Sequence, residues 1–353
     1  MATKIPDLTQ QSGEWLRGSG PMSDIAISSR IRLARNVSGF PFLTRCSKPQ
    51  RQQLEQLISG TILTASLAPK LFYVNLEQSI ELDRQLLVER HLISKPLAAA
   101  EGARGVAITA EEDTAIMVNE EDHLRIQVLR SGLQLDAAWE QINQIDDKLE
   151  AQLDFGFHPR FGYMTACPTN VGTGLRVSVM LHLPALKLTG EIEKVFRAAK
   201  DMRLAVRGLY GEGTEATGDF YQISNQTTLG KSEEDIISDF RTGVIPKIID
   251  YEHHARKLLA SERGTSLDDK VHRALGLLRS ARLLTTDEVL FALSHVRLGV
   301  NMGRVKDVDI AVVNELFLQT QPAHLQKILG RTMDGDVRRA QRADYIRSKL
   351  GGK

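Results

Sequence analysis

The sequence predicts an α+β protein, an antiparallel sheet flanked by helices, followed by an all-helical C-terminal region. Three observations predict it. Short β-rich runs alternate with helix-like stretches as far as about residue 230. Successive strand-like runs are joined by short turns, as around Asn119-Glu-Glu-Asp122, which favours antiparallel pairing over a doubly wound parallel sheet. From Ser232 onward helical periodicity dominates.

In chain order, Lys48 to Leu63 carries the first helical period. The runs Leu71–Asn75, Gly105–Thr109, Ala115–Val118 and Leu124–Val128 are short and rich in β-branched residues, so they read as strands. Ser131 to Leu149 returns to a helical period. Ser232 followed three residues later by Asp235 marks a helix start. Gly264-Thr-Ser-Leu267 reads as a break. Four helices are then expected over 268–284, 286–298, 307–319 and 335–350.

Composition sets limits on function. The 353 residues are 42% hydrophobic and 25% charged, enough for a large domain and a smaller one in a soluble globular protein. With 45 basic against 44 acidic side chains, the net charge of +1 argues against direct nucleic-acid binding. Aromatics at 5% leave little for base stacking. No run of apolar residues is long enough to cross a membrane, and Met1 to Arg17 lacks a signal-peptide pattern. A cytoplasmic protein with no membrane partner is expected. Cys46 and Cys167 are too few for a disulfide framework or a four-cysteine zinc site.

Three strings imitate nucleotide-binding motifs and fail. Gly230-Lys-Ser232 has Asn225 where a phosphate loop needs its first glycine. Asp154-Phe-Gly156 has no His-Arg-Asp loop before it. Gly172-Thr-Gly174 lacks the third glycine of a dinucleotide site, since Val177 stands there.

Other strings carry chemistry. Val118-Asn-Glu-Glu-Asp-His-Leu-Arg125 sets three acids in a row between strands, and adjacent carboxylates raise each other's charging cost unless cations lie near. A solvated turn is the alternative for that string alone. Arginines are supplied elsewhere. In Ser28-Ser-Arg-Ile-Arg32, Arg30 and Arg32 share one side of a strand. Arg125 follows the acidic turn, Arg176 follows Gly172-Thr-Gly-Leu175, and Arg207 precedes Gly208-Leu-Tyr-Gly-Glu212. Five arginines on strand-like segments suit a polyphosphate whose transfer needs dispersed positive charge.

The strings Ser28-Ser-Arg-Ile-Arg32, Asn119-Glu-Glu-Asp-His123, Cys167-Pro-Thr-Asn-Val-Gly-Thr-Gly174 and Arg207-Gly-Leu-Tyr-Gly-Glu212 resemble, in order, the signature of the ATP:guanido phosphotransferases, the creatine and arginine kinase (phosphagen kinase) family. The resemblance implies a glutamine synthetase-like catalytic domain, with ATP and Mg2+ required. Only 27 residues precede Ser28, where classical phosphagen kinases carry a small helical domain, and the helical region after about residue 255 has no counterpart in them. Both features resemble the bacterial protein arginine kinases of the McsB type. The expected organisation is an N-terminal segment 1–23, a catalytic domain 24–254, and a helical domain 255–353 for dimerisation and phosphoarginine sensing.

The resemblance assigns catalytic roles to Glu121, Glu212 and Cys167: the two carboxylates orient the acceptor guanidinium and take its proton, and the thiol lies against it. Nucleotide contacts fall on Ser28, Ser29, Arg30, Ile31, Arg32, His91, Arg125, Arg176, Val177, Ser178, Met180, Arg207, Gly208 and Gly211, with no protein metal ligand and Glu120 organising magnesium waters. Near the end, Gly335-Asp-Val-Arg-Arg-Ala340 resembles the family's phosphoarginine pocket, through Asp336, Arg339 and Ala340, with Gly335 in place of the first arginine. A solvated basic helix face is the competing reading of that stretch. Implied partners are proteins with exposed arginines, a Clp-type unfoldase, a heat-shock repressor, a zinc-binding activator protein and a second copy in a homodimer. The implied function is a protein arginine kinase whose phosphoarginine marks proteins for degradation and modulates heat-shock repressors. A kinase of free arginine and a non-catalytic phosphoarginine-binding adaptor are the other two readings; Glu121 and Glu212 weigh against the adaptor, since a binder has no use for a proton acceptor.

Overall fold

Strand β1 (Ala26–Arg35) shows how this sequence makes its sheet. Ile31 and Leu33 alternate with Arg30 and Arg32, so one face is apolar and the other cationic. The computed structural model describes residues 8–10, 12–209 and 217–351. After β1 come α1 (Lys48–Thr64), β2 (Leu71–Asn75), α2 (Glu81–Glu89), α3 (Lys95–Ala99), β3 (Gly105–Thr109), β4 (Thr114–Val118), β5 (Leu124–Ser131) and α4 (Leu135–Glu150). The small hairpin β6 (Phe157–His158) and β7 (Gly162–Tyr163) precedes β8 (Leu175–His182), α5 (Pro184–Thr189), α6 (Ile192–Asp201), β9 (Leu204–Arg207) and β10 (Phe220–Asn225). Helices α7 (Glu233–Ser238), α8 (Ile245–Glu262), α9 (Gly264–Ser280), α10 (Thr286–Asn301), α11 (Ile310–Gln319), α12 (Pro322–Ile328) and α13 (Gly335–Leu350) complete the chain.

Eight strands form one antiparallel sheet in the order β2-β3-β4-β5-β1-β8-β10-β9. Its apolar face, with Ile31, Leu33, Ile116, Ile126 and Val177, packs in the main core with α1 and α4. Helix α4 buries Leu135, Ala138, Ile142, Ile145 and Leu149, the stripe that a 3.6-residue period places on one side. The opposite face is covered in one half only. There α2 and α3 enclose a second core over β2, β3 and β4, built from Val74, Leu87, Leu92, Val106, Ile108 and Met117. The other half of that face, over β5, β1, β8 and β10, carries the arginines.

The expected strands are present with ends that match closely. Some helix limits move. The helix expected from Ser131 starts at Leu135, because Ser131 still pairs with Ser28 in the sheet and Gly132 turns the chain with φ 71°. The break expected at 264–267 is at Arg263 (φ −133°), and Gly264 already opens α9, which ends at Ser280 rather than 284. Helix α11 begins at Ile310, where the Asp309 side chain accepts from Ala311 N. The 254/255 division expected between domains falls inside α8. At Gly174 (φ 66°) the turn approaches β1 so closely that a Cβ would lie 2.7 Å from Ala34 O, so these glycines serve packing.

The helical third is bound to the sheet by buried polar groups. Arg297 of α10 donates to Asp24 O and Ser23 O and meets His182 Nδ1. Glu89, at the end of α2, accepts from Ala323 N and His324 N at the start of α12. Arg90 next to it forms a buried pair with Glu112.

Candidate active site

Register assembles the site. Arg32 on β1 stands opposite Arg176 on β8 and Gln127 on β5; Arg30 stands opposite Ser178; Ala34 stands opposite Arg125; and Gln222 on β10 stands opposite Arg207 on β9 and Met180 on β8. Alternation then puts Ser28, Arg30, Arg32, Arg125, Arg176, Ser178, Met180 and Arg207 on one face. Ser29, Ile31 and Val177 have the other parity. Ile31 and Val177 are fully buried in the main core, and Ser29 Oγ donates to Gly132 O while accepting from Gln134 N. Their side chains are therefore turned away from the arginine face.

On this face Arg125 pairs with Glu120, whereas Arg30 and Arg32 have no carboxylate partner among the described residues. Arg30 donates to Gln222 Oε1 (2.5 Å) and weakly to Ser178 Oγ (3.4 Å). Burial, aided by repulsion from Arg125, Arg176 and Arg207, brings Arg30 down to about 9. The same causes, with Arg30 added, push Arg32 well below its ordinary value. Arg32 is 7% exposed, and neither its Nε nor its Nη2 has a hydrogen-bond partner among the described residues. Buried guanidinium donors without acceptors are costly, and a polyanion laid across this face would supply both the acceptors and the counter-charge.

The three acids of the turn behave differently from one another. Burial alone would raise Glu120, but Arg125 (2.8 Å) and hydrogen bonds from Ser94 Oγ (2.6 Å), Arg125 and Glu121 N hold it below its usual value. With both oxygens engaged, Glu120 fixes Arg125 in place. Asp122 is buried and accepts from Asn36 Nδ2 and Ala166 N, each at 2.6 Å. That contact ties the acidic turn to the residue before Cys167, and Thr165 Oγ1 donates to Cys167 O to fix the same bend. Only Glu121 of the three is exposed. Partial burial, with Asp122 and Glu120 adding repulsion against the pull of Arg125 and Arg176, raises its pKa. A carboxylate so placed is a better proton acceptor than a free glutamate. Cys167 is half-buried, its Sγ 3.0 Å from Thr169 Oγ1. Cys46 is partly buried against the main core, its Sγ donating to Pro41 O.

His91 is not on a helix face. It follows the end of α2 with left-handed backbone (φ 58°), its carbonyl accepts from Gln127 Nε2 (2.7 Å), and its ring meets Trp15 edge-on at 4.5 Å. Burial, then Arg30 and Lys95, lowers it to about 3, so it is neutral. With Trp15, Ser28, Arg30, Met180 and Gln222 it lines a cleft open to solvent. Trp15 and Gln222 carry no motif in the sequence; register and the packing of α2 bring them here. Gly208 follows β9, while Gly211 and Glu212 lie outside the described residues. Asp336, Arg339 and Ala340 are elsewhere, in the first turns of α13, where Asp336 is exposed and lies 3.6 Å from Arg339. Among the described residues no group of three His, Cys, Asp or Glu side chains is placed to hold a metal ion.

The model of the ATP:guanido phosphotransferase C-terminal catalytic domain matches residues 53–255, and that of the protein-arginine kinase McsB C-terminal domain matches residues 264–353. A protein-arginine kinase of Symbiobacterium thermophilum is 47% identical over 97% of this chain and 98% of its own length. One from Halothermothrix orenii is 44% identical over 98% and 99%. Among solved structures, lombricine kinase superposes with a TM-score of 0.59 at 30% identity, covering 76% of this chain and 74% of its own. The taurocyamine kinase of Schistosoma mansoni gives 0.61 at 27% identity, over 77% of this chain and 40% of its own. No described helix is long and apolar enough to cross a membrane. The matches over residues 53–255 and 264–353, with relatives 44–47% identical over nearly the whole chain, place it in the ATP:guanido phosphotransferase family, among the protein-arginine kinases.

Proposed function

We propose that the chain transfers the γ-phosphoryl group of ATP to arginine side chains of proteins. The observation that carries this reading is the buried Arg32, whose Nε and Nη2 have no acceptor among the described residues, in a cluster of five arginines with the exposed Glu121. Arg30, Arg32, Arg125, Arg176 and Arg207 hold the triphosphate and offset the charge that builds on it in transfer. A magnesium ion bound with the nucleotide would supply further charge neutralisation, with no protein side chain assigned as its ligand. Glu121 orients the acceptor guanidinium and takes a proton from it as its nitrogen bonds to phosphorus; the bond from phosphorus to the bridging oxygen breaks, and ADP leaves with that electron pair. Glu212 is the second carboxylate by family resemblance, and Cys167, tied to the acidic turn through Ala166, lies beside the acceptor.

The wider setting belongs to the same proposal and is supported by resemblance alone: cytoplasmic quality control in which phosphoarginine marks substrates for a Clp-type unfoldase, action on a heat-shock repressor, a zinc-binding activator, and a homodimer. The start of α13, with Asp336, Arg339 and Ala340, is where a phosphoarginine would be read. Incubation with ATP-Mg and casein, against a parallel reaction with free arginine, tests the activity. Acid-labile phosphate on casein, lost in Glu121→Ala, is expected; label on free arginine alone would overturn the reading.

A further inference from the structure

Trp15 lies in the short turn Glu14–Leu16, ahead of every motif used above. The turn is pinned to the sheet: Glu14 Oε1 accepts from Ser131 N, and Gly18 N donates to Ser131 Oγ. Trp15 is 5% exposed, and its indole Nε1 has no hydrogen-bond partner among the described residues. Buried indole N–H groups in folded proteins are normally satisfied, so one that is not calls for an acceptor that arrives later.

The cleft gives that acceptor a chemical class. It is lined by Trp15, Ser28, His91, Met180 and Gln222, and joins the phosphate face through Arg30. Arg30 is followed along β1 by Arg32 and then by Ala34, opposite Arg125, which leads to the acidic turn. A triphosphate running from Arg30 towards Glu121 leaves its other end over Ser28 and Met180. Apart from Arg30 this end carries no charged lining group, since His91 is neutral, and it is walled by an indole, an imidazole and a thioether. Such a wall suits a nucleoside and not another phosphate.

We propose that Trp15 is a nucleoside-contacting residue, its indole N–H donating to an acceptor on the ribose or base of ATP. The proposal rests on the reading of the arginine face as the triphosphate site. The chain has two tryptophans, and the other, Trp139, is on α4 against the opposite face of the sheet, so Trp139→Phe leaves Trp15 as the sole reporter. Its emission is followed while ATP-Mg, ADP or inorganic tripolyphosphate is added, with binding measured in parallel by calorimetry. ATP and ADP should change the emission saturably, with the midpoint seen by calorimetry. Tripolyphosphate should bind and compete with ATP yet leave the emission unchanged. Trp15→Phe, which keeps an aromatic ring without the donor, should raise KM for ATP about 5- to 10-fold with kcat within twofold, as for loss of one hydrogen bond. If that variant does not fold, the emission titration decides. ATP bound with Trp15 silent, or tripolyphosphate changing the emission as ATP does, overturns the proposal alone. A chain that binds neither ATP nor tripolyphosphate overturns the phosphate reading and the proposal with it.

Discussion

The arginine face of the sheet and the seam between sheet and helical third both bury guanidinium groups, and they complete their hydrogen bonds in opposite ways. At the seam, Arg297 reaches Asp24 O, Ser23 O, Asn314 Oδ1 and His182, and within the helical third itself Arg342 reaches Thr320 O and Leu284 O. On the arginine face, Nε and Nη2 of Arg32 are unmatched among the described residues. The contrast recurs within β1 itself, where Arg35 on the apolar side pairs with Asp146 at 2.6 Å, donates to Thr173 O and lies over the Tyr163 ring. Titration does not separate the two sets, since burial brings Arg30 and Arg297 alike to about 9. Acceptor accounting does: a buried arginine with a full set of partners builds the fold, and one without is kept for a ligand.

That contrast can be broken at several points. The largest effect belongs to Glu121, whose carboxylate has no hydrogen-bond partner among the described residues. Glu121→Gln should lower kcat by about 10²- to 10⁴-fold with little change in melting temperature, the range for loss of a general base. Since the carboxylate form is the acceptor and its pKa is raised above the ordinary 4.5, kcat/KM should fall as pH drops through a midpoint above that value. A midpoint at or below it would remove Glu121 from the role. At the seam, Asp24 O keeps Arg256 and Asn301 as donors, but Arg297→Met leaves Ser23 O, Asn314 Oδ1 and His182 Nδ1 unmatched and should cost about 3 kcal/mol of stability in urea unfolding, from roughly 1 kcal/mol or more per stranded group. If its stability is unchanged, the seam arginines are not structural. Ser178→Ala removes two long contacts to Arg30, from its Nε at 3.4 Å and to its O at 3.3 Å, and should shift KM for ATP by less than about threefold.

Much of this was legible in the sequence, for reasons that differ by element. The strands declared themselves because alternation is a short-range signal: Gly105–Thr109 and Leu71–Asn75 end where expected. Helix α12 was not seen, since seven residues are too few to display a period. The arginines were legible through their strings, yet Ser29, Ile31 and Val177 share those strings and point the other way; a period of two already separates them from Arg30, Arg32 and Arg176. Trp15 and Gln222 were not legible, because what brings them to the cleft is register and the packing of distant segments. The split among the three acids also needed the fold. Asn36, Ala166 and Ser94, which engage Asp122 and Glu120, are far from them in sequence.

The most direct measurement is the melting temperature of Arg32→Met with and without saturating ATP-Mg, beside the wild type. Ligand at 100 times its dissociation constant stabilises a protein by about 2.7 kcal/mol, so the wild-type shift is easily read. Arg32→Met should melt no lower than wild type without nucleotide, because an unmatched buried charge has been removed, and should lose most of the ATP-induced rise. A variant that melts well below wild type and still responds fully to ATP would contradict the assignment of Arg32 to the triphosphate.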